Sequence, residues 1–129
     1  AYIGIDQLKK LHTISKTRSE NFDVYQTLNK NSWKPKVHYD DDFVSNFAYP
    51  MILDVDRDLV VQKLKNNNVE VRPLICGSMT RQPMYTTRNF PNEFPCANAE
   101  LVSEKGFYLP NHASLTSVDI HRIFQIIET

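Results

Sequence analysis

The segment Arg72–Tyr85, with the sequence RPLICGSMTRQPMY, decides how the chain is organised. The apolar run 69–75 (VEVRPLI) that leads through its start has the composition of a buried strand, and Gly77 ends that strand. Four polar side chains follow on a loop closed by Pro83: Ser78, Thr80, Arg81 and Gln82. A strand that ends in glycine and is followed by hydroxyls, a guanidinium and an amide is typical of a binding edge. An ordinary strand exit with solvated polar side chains is an equally good interpretation.

The residues before this segment predict a helix, a strand and a second helix. Apolar residues recur every three or four positions from Ile5 to Leu28, which indicates a long amphipathic helix. Residues 44–53 favour a strand, and Pro50 predicts that this is an edge strand or one with a bulge, because proline lacks an amide proton. Asp56 is the expected N-cap of a helix over Arg57–Asn66. The buried stripe of this helix should consist of Leu59, Val60, Lys63 and Leu64.

The residues after the segment predict a loop, two helices and a third strand. Residues 83–95 are rich in proline, asparagine and phenylalanine and should have little regular structure. A short helix that a glycine ends is expected over Asn98–Lys105, followed by a strand over Phe107–Leu109. Ser114 or Ser117 should cap the last helix. The buried residues of that helix should be Val118, Ile120, Ile123, Phe124 and Ile127.

These elements together predict an α+β fold. A strand, a helix and a strand within about thirty residues are typical of a split β-α-β unit on a small sheet. The sheet should be mostly antiparallel, with flanking helices that include the long N-terminal one. The 129 residues suffice for a single domain with one core, which buries roughly two thirds of the unfolded surface.

Composition excludes several classes of protein. The 15 lysines and arginines balance 15 aspartates and glutamates, so nucleic acid and anionic membranes are poor candidates for the main partner. No apolar run approaches ~20 residues, and no signal peptide is recognisable. Three glycines, far apart, exclude a Walker loop and a dinucleotide-binding turn. Cys76 and Cys96 are too few for a disulfide framework, so we expect a reducing, cytoplasmic location.

No catalytic pair or metal triad can be recognised in the sequence. The four histidines share no ligand spacing, and His12 and His121 should be surface residues on helices. Aspartates 54, 56 and 58 open like a calcium loop, but Leu59 and Lys65 stand where that loop requires glycine and glutamate. His112 is the histidine of interest, because it follows a strand end where side chains point into clefts. A loop cap is an equally good interpretation of it.

Several motifs, in order along nearly the whole chain, resemble those of the DegT/StrS family of sugar aminotransferases. They are Gly4-x-x-Gln7-Leu8-x-x-Leu11, Arg18-x-x-Asn21-Phe22, Arg72-Pro73, Gly77, Thr80-Arg81-Gln82-Pro83, Asn98-Ala99-Glu100, Gly106-Phe107-Tyr108-x-x-Asn111-His112 and Ser114-Leu115-Thr116. The loop resembles the G-N-x-T-R-Q-P loop of the 3-dehydratase branch, which removes the C3 hydroxyl of nucleotide-linked 4-keto-6-deoxyhexoses. Ser78 departs from the asparagine of that branch and Pro110 from a common glycine, so 4-amination stays open.

The resemblance implies a small C-terminal domain of a pyridoxal phosphate (PLP) enzyme with the aspartate-aminotransferase-like fold (fold type I). The family's cofactor lysine (histidine in some dehydratases), pyridinium aspartate and phosphate contacts would then lie before Ala1. This chain alone would bind no PLP and catalyse nothing. Its implied partners are a nucleotide-linked 4-keto-6-deoxyhexose, the N-terminal PLP domain of the same protein and a second subunit. The implied process is deoxysugar or cell-surface polysaccharide biosynthesis, including lipopolysaccharide.

The resemblance also implies a set of substrate-binding residues: Arg72, Ser78, Arg81, Gln82, Asn111 and His112. Arg72 and Arg81 suit a nucleotide-sugar because a guanidinium can grip diphosphate oxygens with two parallel hydrogen bonds. An ordinary ion-pair partner is the alternative interpretation of either arginine. Asn111 and His112 can hydrogen-bond a sugar hydroxyl or keto oxygen. No catalytic, cofactor-binding or metal-binding residue is expected in this chain.

An alternative is a free-standing split β-α-β module that binds a ligand or a protein without catalysis. The chain begins without methionine and is at once in helical periodicity, so we expect it to be part of a longer protein. A reading frame of about 230 further residues with a strand-embedded lysine or histidine would distinguish the enzyme from the module.

Overall fold

A computed structural model describes residues 2–31, 33–36, 43–74, 77–88 and 96–129. Parts of two predictions therefore lie outside the described residues: the end of the strand at Ile75 and the loop part 89–95. None of the helices in the described ranges is both long and apolar enough to cross a bilayer.

Six α-helices and three strands make up the described fold. In chain order they are α1 (Tyr2–Leu8), α2 (Leu11–Leu28), β1 (Ala48–Ile52), α3 (Arg57–Asn66), β2 (Arg72–Pro73), a 3-10 turn (Met79–Arg81), α4 (Pro83–Thr86), α5 (Ala97–Lys105), β3 (Gly106–Pro110) and α6 (Ser117–Glu128). This mixture of helices around a small antiparallel sheet is the predicted α+β class.

The sheet has the order β1-β3-β2, and both outer strands run antiparallel to β3. β1 and β2 are therefore parallel to each other with β3 inserted between them, which confirms the split β-α-β unit. β1 lies at an edge, as Pro50 predicted. The strands are shorter than expected, since β1 covers Ala48–Ile52 and β2 only Arg72–Pro73. β1 is largely buried, whereas the two residues of β2 are exposed rather than buried.

One face of the sheet carries the core. The register places Tyr49 opposite Leu109 and Met51 opposite Phe107, and all four side chains are buried. α2, α3 and α6 cover this face with Phe22, Tyr25, Val60, Leu64, Ile120, Ile123 and Phe124. Tyr25 stacks on Tyr49 with ring centroids 4.7 Å apart, so an aromatic stack joins α2 to the sheet.

The N-terminal helix differs from its prediction by a break. α1 ends at Leu8 and α2 begins at Leu11, with the Lys10 amide bonded to the Gln7 carbonyl at 3.0 Å in a tighter turn. Leu8 and Leu11 on either side of the break are exposed, so no core contact holds the helix straight there. The exposed apolar side chains of this region are Tyr2, Ile3, Ile5, Leu8 and Leu11, which we call the α1 strip.

α3 begins as predicted but buries a different face. Asp56 caps it by accepting hydrogen bonds from the amides of Asp58 and Leu59. Leu59 is 60% exposed and Lys63 is also exposed, so the stripe predicted for them was wrong. Val60 and Leu64, four positions apart, face the core instead, with Val61 half-buried beside them. Asn68 then follows the helix with φ of 60°, the left-handed conformation that asparagine tolerates.

Gly106 separates α5 from β3 for a steric reason. Gly106 ends the helix as predicted, and it does so in an extended conformation with φ of −88°. A Cβ at this position would lie 2.5 Å from the Val102 carbonyl oxygen and would overlap the Leu74 side chain. Glycine therefore allows the helix to pass directly into the strand.

The prediction of little regular structure over residues 83–95 was wrong for residues 83–86, because they form α4.

α6 is capped by Thr116, not by Ser114 or Ser117. Thr116 accepts a hydrogen bond from the Asp119 amide, and the Asp119 carboxylate accepts from the Thr116 amide at 2.9 Å, which is a complete capping box. The prediction missed the box because it considered only serine hydroxyls. Val118 is 74% exposed rather than buried, whereas Ile120, Ile123 and Phe124 are buried as expected and Ile127 is half-buried.

Candidate functional site

The six predicted site residues fall into two groups. Arg72, Asn111 and His112 line one pocket at the end of β3. Ser78, Arg81 and Gln82 lie on the loop 77–82, and Ser78 and Arg81 contact α5. The pocket that the first group lines contains none of Ser78, Arg81 and Gln82. The structure therefore shows two candidate contact regions.

Asn111 lies at the centre of a set of buried hydrogen bonds. Its side chain is 1% exposed, and its amide nitrogen donates to the carbonyl oxygens of Arg18 at 3.1 Å and Asn46 at 2.9 Å. Both partners are acceptors, so the amide must present its nitrogen to them. Its oxygen is buried without a hydrogen-bond partner among the described residues. This asparagine thus joins α2, the entry to β1 and the exit of β3.

Two side chains of α2 complete this arrangement. Asn21 donates to the Leu115 carbonyl at 3.2 Å, and the Tyr25 hydroxyl donates to the Pro110 carbonyl at 2.7 Å. Burial raises the pKa of Tyr25 far above its usual value, and the charge of Asp119 adds to the effect. We call Asn21, Tyr25, Asn111 and the carbonyls that they bind the α2 junction. It fixes the backbone on either side of His112.

The pocket next to the α2 junction has a volume of about 200 Å³. We call it the junction pocket, and its walls include Phe47, Glu70, Arg72, Tyr108 and His112. Phe47 is 62% exposed, and its ring lies 5.5 Å from that of the half-buried Tyr108. Since Phe107 and Leu109 face the core, strand alternation turns Tyr108 to the opposite face of the sheet. That pattern was readable in the sequence, although Phe47, Glu70 and Tyr108 were not predicted as site residues.

The polar groups of the junction pocket are arranged around Arg72 and His112. Arg72 is exposed and donates from Nε and Nη2 to Glu70 Oε1, at 2.9 Å and 2.5 Å. His112 is exposed, and its Nδ1 lies 2.8 Å from Ser114 Oγ. His12 and His121 are exposed on their helices, as expected. The pocket therefore offers aromatic faces, an imidazole and a guanidinium whose carboxylate partner is itself exposed.

A second pocket, of about 270 Å³, adjoins the first through Glu70, Pro110 and His112. Asp119 and Arg122 of α6 belong to its wall. Hydrogen bonds from Thr116 hold the pKa of the Asp119 carboxyl below its usual range, with smaller contributions from the nearby Arg122 and His112 charges. Asp119 is therefore already engaged in the helix cap, and the polar rim around His112 extends from β2 to α6.

The loop 77–82 is held against α5 by a group that we call the α5 clamp: Ser78, Thr80, Arg81, Glu100 and Glu104. Ser78 is 1% exposed and donates its hydroxyl to Glu100, and Arg81 pairs with Glu100 through Nε and with Glu104 through Nη2 at 2.7 Å. The guanidinium of Arg81 lies along α5 in these two ion pairs. Glu100 belongs to a recognised motif, yet its carboxylate was not predicted to hold the loop.

Charge sets the two regions apart. The Ser78 hydroxyl, followed by Thr80 and Arg81, lowers the pKa of Glu100, and the hydrogen bond to Glu104 raises that of Arg81. The α5 clamp thus carries two carboxylates and one guanidinium, a net charge of about −1. The junction pocket pairs one carboxylate with one guanidinium next to a histidine.

Gln82 is exposed at the loop end, where its backbone amide donates to the Met79 carbonyl at 3.0 Å.

The described lysines lie in the wrong environment for a covalent bond to PLP. All lysines in the described residues are exposed except Lys105, which is half-buried. A Schiff-base lysine needs an enclosed site, so these side chains do not fit that role. The described residues also contain no group of three histidine, cysteine, aspartate or glutamate side chains that could hold a metal ion.

Comparison with known proteins relates the whole chain to one family. Residues 1–128 match the model of the DegT/DnrJ/EryC1/StrS aminotransferase family. The chain is 24% identical over 131 aligned positions to GDP-4-keto-6-deoxy-D-mannose 3-dehydratase of Yersinia pseudotuberculosis, with 98% of this chain and 33% of that protein covered. It thus spans about a third of the length of this curated relative.

Solved structures show the same fold. The E. coli GDP-4-keto-6-deoxy-D-mannose 3-dehydratase with bound hydrated PLP is similar with a TM-score of 0.77 and 24% identity, over 97% of this chain and 33% of that one. The Helicobacter pylori aminotransferase of pseudoaminic acid biosynthesis gives a TM-score of 0.74 and 21% identity, over 97% and 34%. Both are similar to this chain along nearly its whole length.

Proposed function

Since the chain belongs to the DegT/DnrJ/EryC1/StrS aminotransferase family, we propose that residues 1–129 are the C-terminal domain of a PLP-dependent nucleotide-sugar aminotransferase or 3-dehydratase. The domain closes over a nucleotide-linked 4-keto-6-deoxyhexose and supports the pairing of two subunits. The parent protein acts in the cytoplasm, in deoxysugar and cell-surface polysaccharide biosynthesis such as that of lipopolysaccharide. The N-terminal part of the parent supplies the PLP site.

The junction pocket is the observation that carries this proposal. Its aromatic faces, Phe47 and Tyr108, suit the apolar side of a sugar or base, and Arg72 suits a phosphate oxygen. Among the described residues, Arg72 pairs with the exposed Glu70, and an entering anion can take over the guanidinium at little cost. His112 can then hydrogen-bond a hydroxyl or keto oxygen.

Asn111 has a more indirect place in this site. Its nitrogen is used by two carbonyls within the fold, which leaves only its unpartnered oxygen for a donor from a ligand. A buried acceptor without a donor costs about 1–3 kcal/mol. A sugar hydroxyl that supplies the missing donor would remove that cost on binding.

The loop 77–82 forms the second substrate contact in this proposal, through Ser78, Arg81 and Gln82. A guanidinium has five N–H donors, and the contacts with Glu100 and Glu104 engage Nε and Nη2. Arg81 therefore retains donors for a ligand while it stays paired. The two carboxylates weaken its attraction for an anion, so we assign the stronger phosphate contact to Arg72.

The α1 strip supports the place of this domain in a larger protein. Tyr2 is 89% exposed and Ile3 78%, and Ile5, Leu8 and Leu11 are exposed as well. Exposed apolar side chains concentrated in one region favour an interaction site in soluble proteins. We assign it to contact with the N-terminal PLP domain.

Product analysis of the full-length protein tests the proposed function. The protein is incubated with PLP, an amino acid donor and a nucleotide-linked 4-keto-6-deoxyhexose, and the sugar is examined by mass spectrometry. Gain of an amino group in place of the keto oxygen identifies an aminotransferase, and loss of the C3 hydroxyl identifies a 3-dehydratase. The 129-residue chain alone is the control and should give neither product. An unchanged sugar with the PLP-loaded full-length protein would overturn the proposal.

A further inference from the structure

The carboxylate of Glu100 contacts three side chains of the loop 77–82, two by hydrogen bonds and one by an ion pair. Ser78 and Thr80 both donate hydroxyl hydrogens to Oε1, the second across 3.2 Å, and Arg81 Nε lies against Oε2. Glu100 is itself only partly exposed and lies in the first turn of α5, where the helix dipole favours a negative charge. Both of its oxygens are therefore engaged by the loop.

The two hydroxyls have two protons to donate, and they need an acceptor besides each other. Ser78 Oγ and Thr80 Oγ1 lie 2.9 Å apart and can donate to each other, but only one proton can lie between them. The other proton needs a different acceptor, because Ser78 is buried away from water. Glu100 provides that acceptor.

α5 is a fixed support for the loop. Arg57 Nη1 donates to the Ser103 carbonyl at 2.9 Å, which ties α5 to α3. Gly77 enters the loop with φ of 51°, and a Cβ there would lie 2.9 Å from Ser103 Oγ. The loop thus packs on α5 at its entry through Gly77, and Glu100 holds its middle.

Glu104 provides a natural comparison one helical turn further on. It carries the same charge and pairs with the same Arg81, at 2.7 Å, but both partners are more than half exposed. Exposed ion pairs contribute little to stability. Glu104 has no recorded contact with Ser78 or Thr80 in the described structure. The two glutamates therefore separate loss of charge near Arg81 from loss of the loop contacts.

We infer that Glu100 is a positioning residue for substrate binding, which holds the loop that presents Ser78, Arg81 and Gln82. This inference rests on the proposed function, which makes that loop a substrate contact. Glutamine cannot replace the carboxylate. In Glu100→Gln the amide oxygen can accept from the hydroxyls or from Arg81, but not from both. The amide nitrogen is itself a donor, so it cannot accept from the group that remains.

Two measurements on the full-length protein test this role. Hydrogen exchange reports the loop amides of Arg81 and Gln82, which donate to the Ser78 and Met79 carbonyls at 3.2 Å and 3.0 Å. Steady-state kinetics with the nucleotide-sugar report KM and kcat separately. In Glu100→Gln we expect loop exchange about tenfold faster and KM about tenfold higher, with kcat largely kept. In Glu104→Gln both quantities should stay within about twofold of the wild type.

The outcomes distinguish this inference from the proposed function. Unchanged loop exchange in Glu100→Gln, or an equal effect in Glu104→Gln, overturns the positioning role. Faster loop exchange with an unchanged KM would show that Glu100 holds the loop but that the loop does not contact the substrate. Ser78→Ala is the second variant if Glu100→Gln fails to fold. It removes the buried donor but keeps the ion pairs, so it should also speed loop exchange, and unchanged exchange there overturns the inference as well.

Discussion

The α2 junction and the α5 clamp hold their backbones by different chemistry. In the α2 junction, uncharged side chains that are largely buried donate to backbone carbonyls: Asn21, Tyr25 and Asn111. In the α5 clamp, the main contacts are ion pairs between partly exposed side chains, which join Arg81 to Glu100 and Glu104. Buried neutral hydrogen bonds respond little to salt, whereas exposed ion pairs are screened. The first region therefore belongs to the fold and the second to a loop that can adjust.

The largest effect on stability should come from Asn111. Asn111→Ala removes two hydrogen bonds and leaves the carbonyls of Arg18 and Asn46 without their donor. Each loss is worth about 1–3 kcal/mol, so the free energy of unfolding of the domain should fall by roughly 2–4 kcal/mol in a urea titration. A loss below about 0.5 kcal/mol would show that the α2 junction does not hold the fold.

Tyr25→Phe should have the next largest effect. It removes the hydroxyl that donates to the Pro110 carbonyl at 2.7 Å but keeps the ring stacked on Tyr49, so we expect a loss of about 1–1.5 kcal/mol.

The pH dependence of stability gives a second test of Tyr25. Burial raises its pKa in the folded state, so its contribution is complete below the unfolded value of about 10 and is lost as pH rises towards the folded value. Tyr25→Phe should therefore lose less stability above pH 10 than the wild type, and equal alkaline losses would argue against it.

The helix cap should give a smaller effect of known sign. Thr116→Ala breaks the capping box of α6 and should cost about 1 kcal/mol in the same urea titration. Ser117→Ala is the matched control and should cost less, since Ser117 is exposed inside the helix. The lowered pKa of Asp119 means that its contribution is present above about pH 4 and is lost as pH falls through the folded value. Equal losses in the two alanine variants would contradict the cap assignment.

The α5 clamp should show the smallest effect on global stability. Glu104→Gln removes one exposed ion pair, so the free energy of unfolding should change by less than about 0.5 kcal/mol at low salt and still less at 1 M salt. Thermal unfolding of the wild type and the variant at the two salt concentrations measures this. A loss comparable with that of Asn111→Ala would remove the contrast between the two regions.

The sequence predicted the elements that depend on local chemistry. Pro50 favoured an edge position for β1, and Asp56 indicated the N-cap of α3. The apolar periodicity of α6 indicated that Ile120, Ile123 and Phe124 are buried. Errors arose where contacts distant in sequence decide. Leu59 and Val60 are both apolar, and only the packing against α6 determines which one is buried.

The candidate site was predicted as a set of residues but not as an arrangement. Arg72, Asn111 and His112 lie far apart in sequence, and the pairing of β2 with β3 brings them to one pocket. No sequence rule shows that Arg81 pairs with Glu100 and Glu104 across more than eighteen positions, because the chain between them must first fold. Alternation along β3 places Tyr108 on the face opposite Phe107 and Leu109, whereas the contact between Phe47 and Tyr108 depends on the pairing of β1 with β3.

Substrate affinity of Arg72→Gln in the full-length protein tests the central claim, that the junction pocket binds the nucleotide-sugar. Calorimetric titration with the nucleotide-sugar gives Kd for the wild type, for Arg72→Gln and for Lys30→Gln, a control that removes an exposed cation paired with Glu128 at the far end of α6. A charge-assisted hydrogen bond to phosphate is worth about 1.5–3 kcal/mol, so Arg72→Gln should raise Kd roughly ten- to a hundredfold. Lys30→Gln should leave Kd unchanged. Equal Kd values for the wild type and Arg72→Gln would contradict the account.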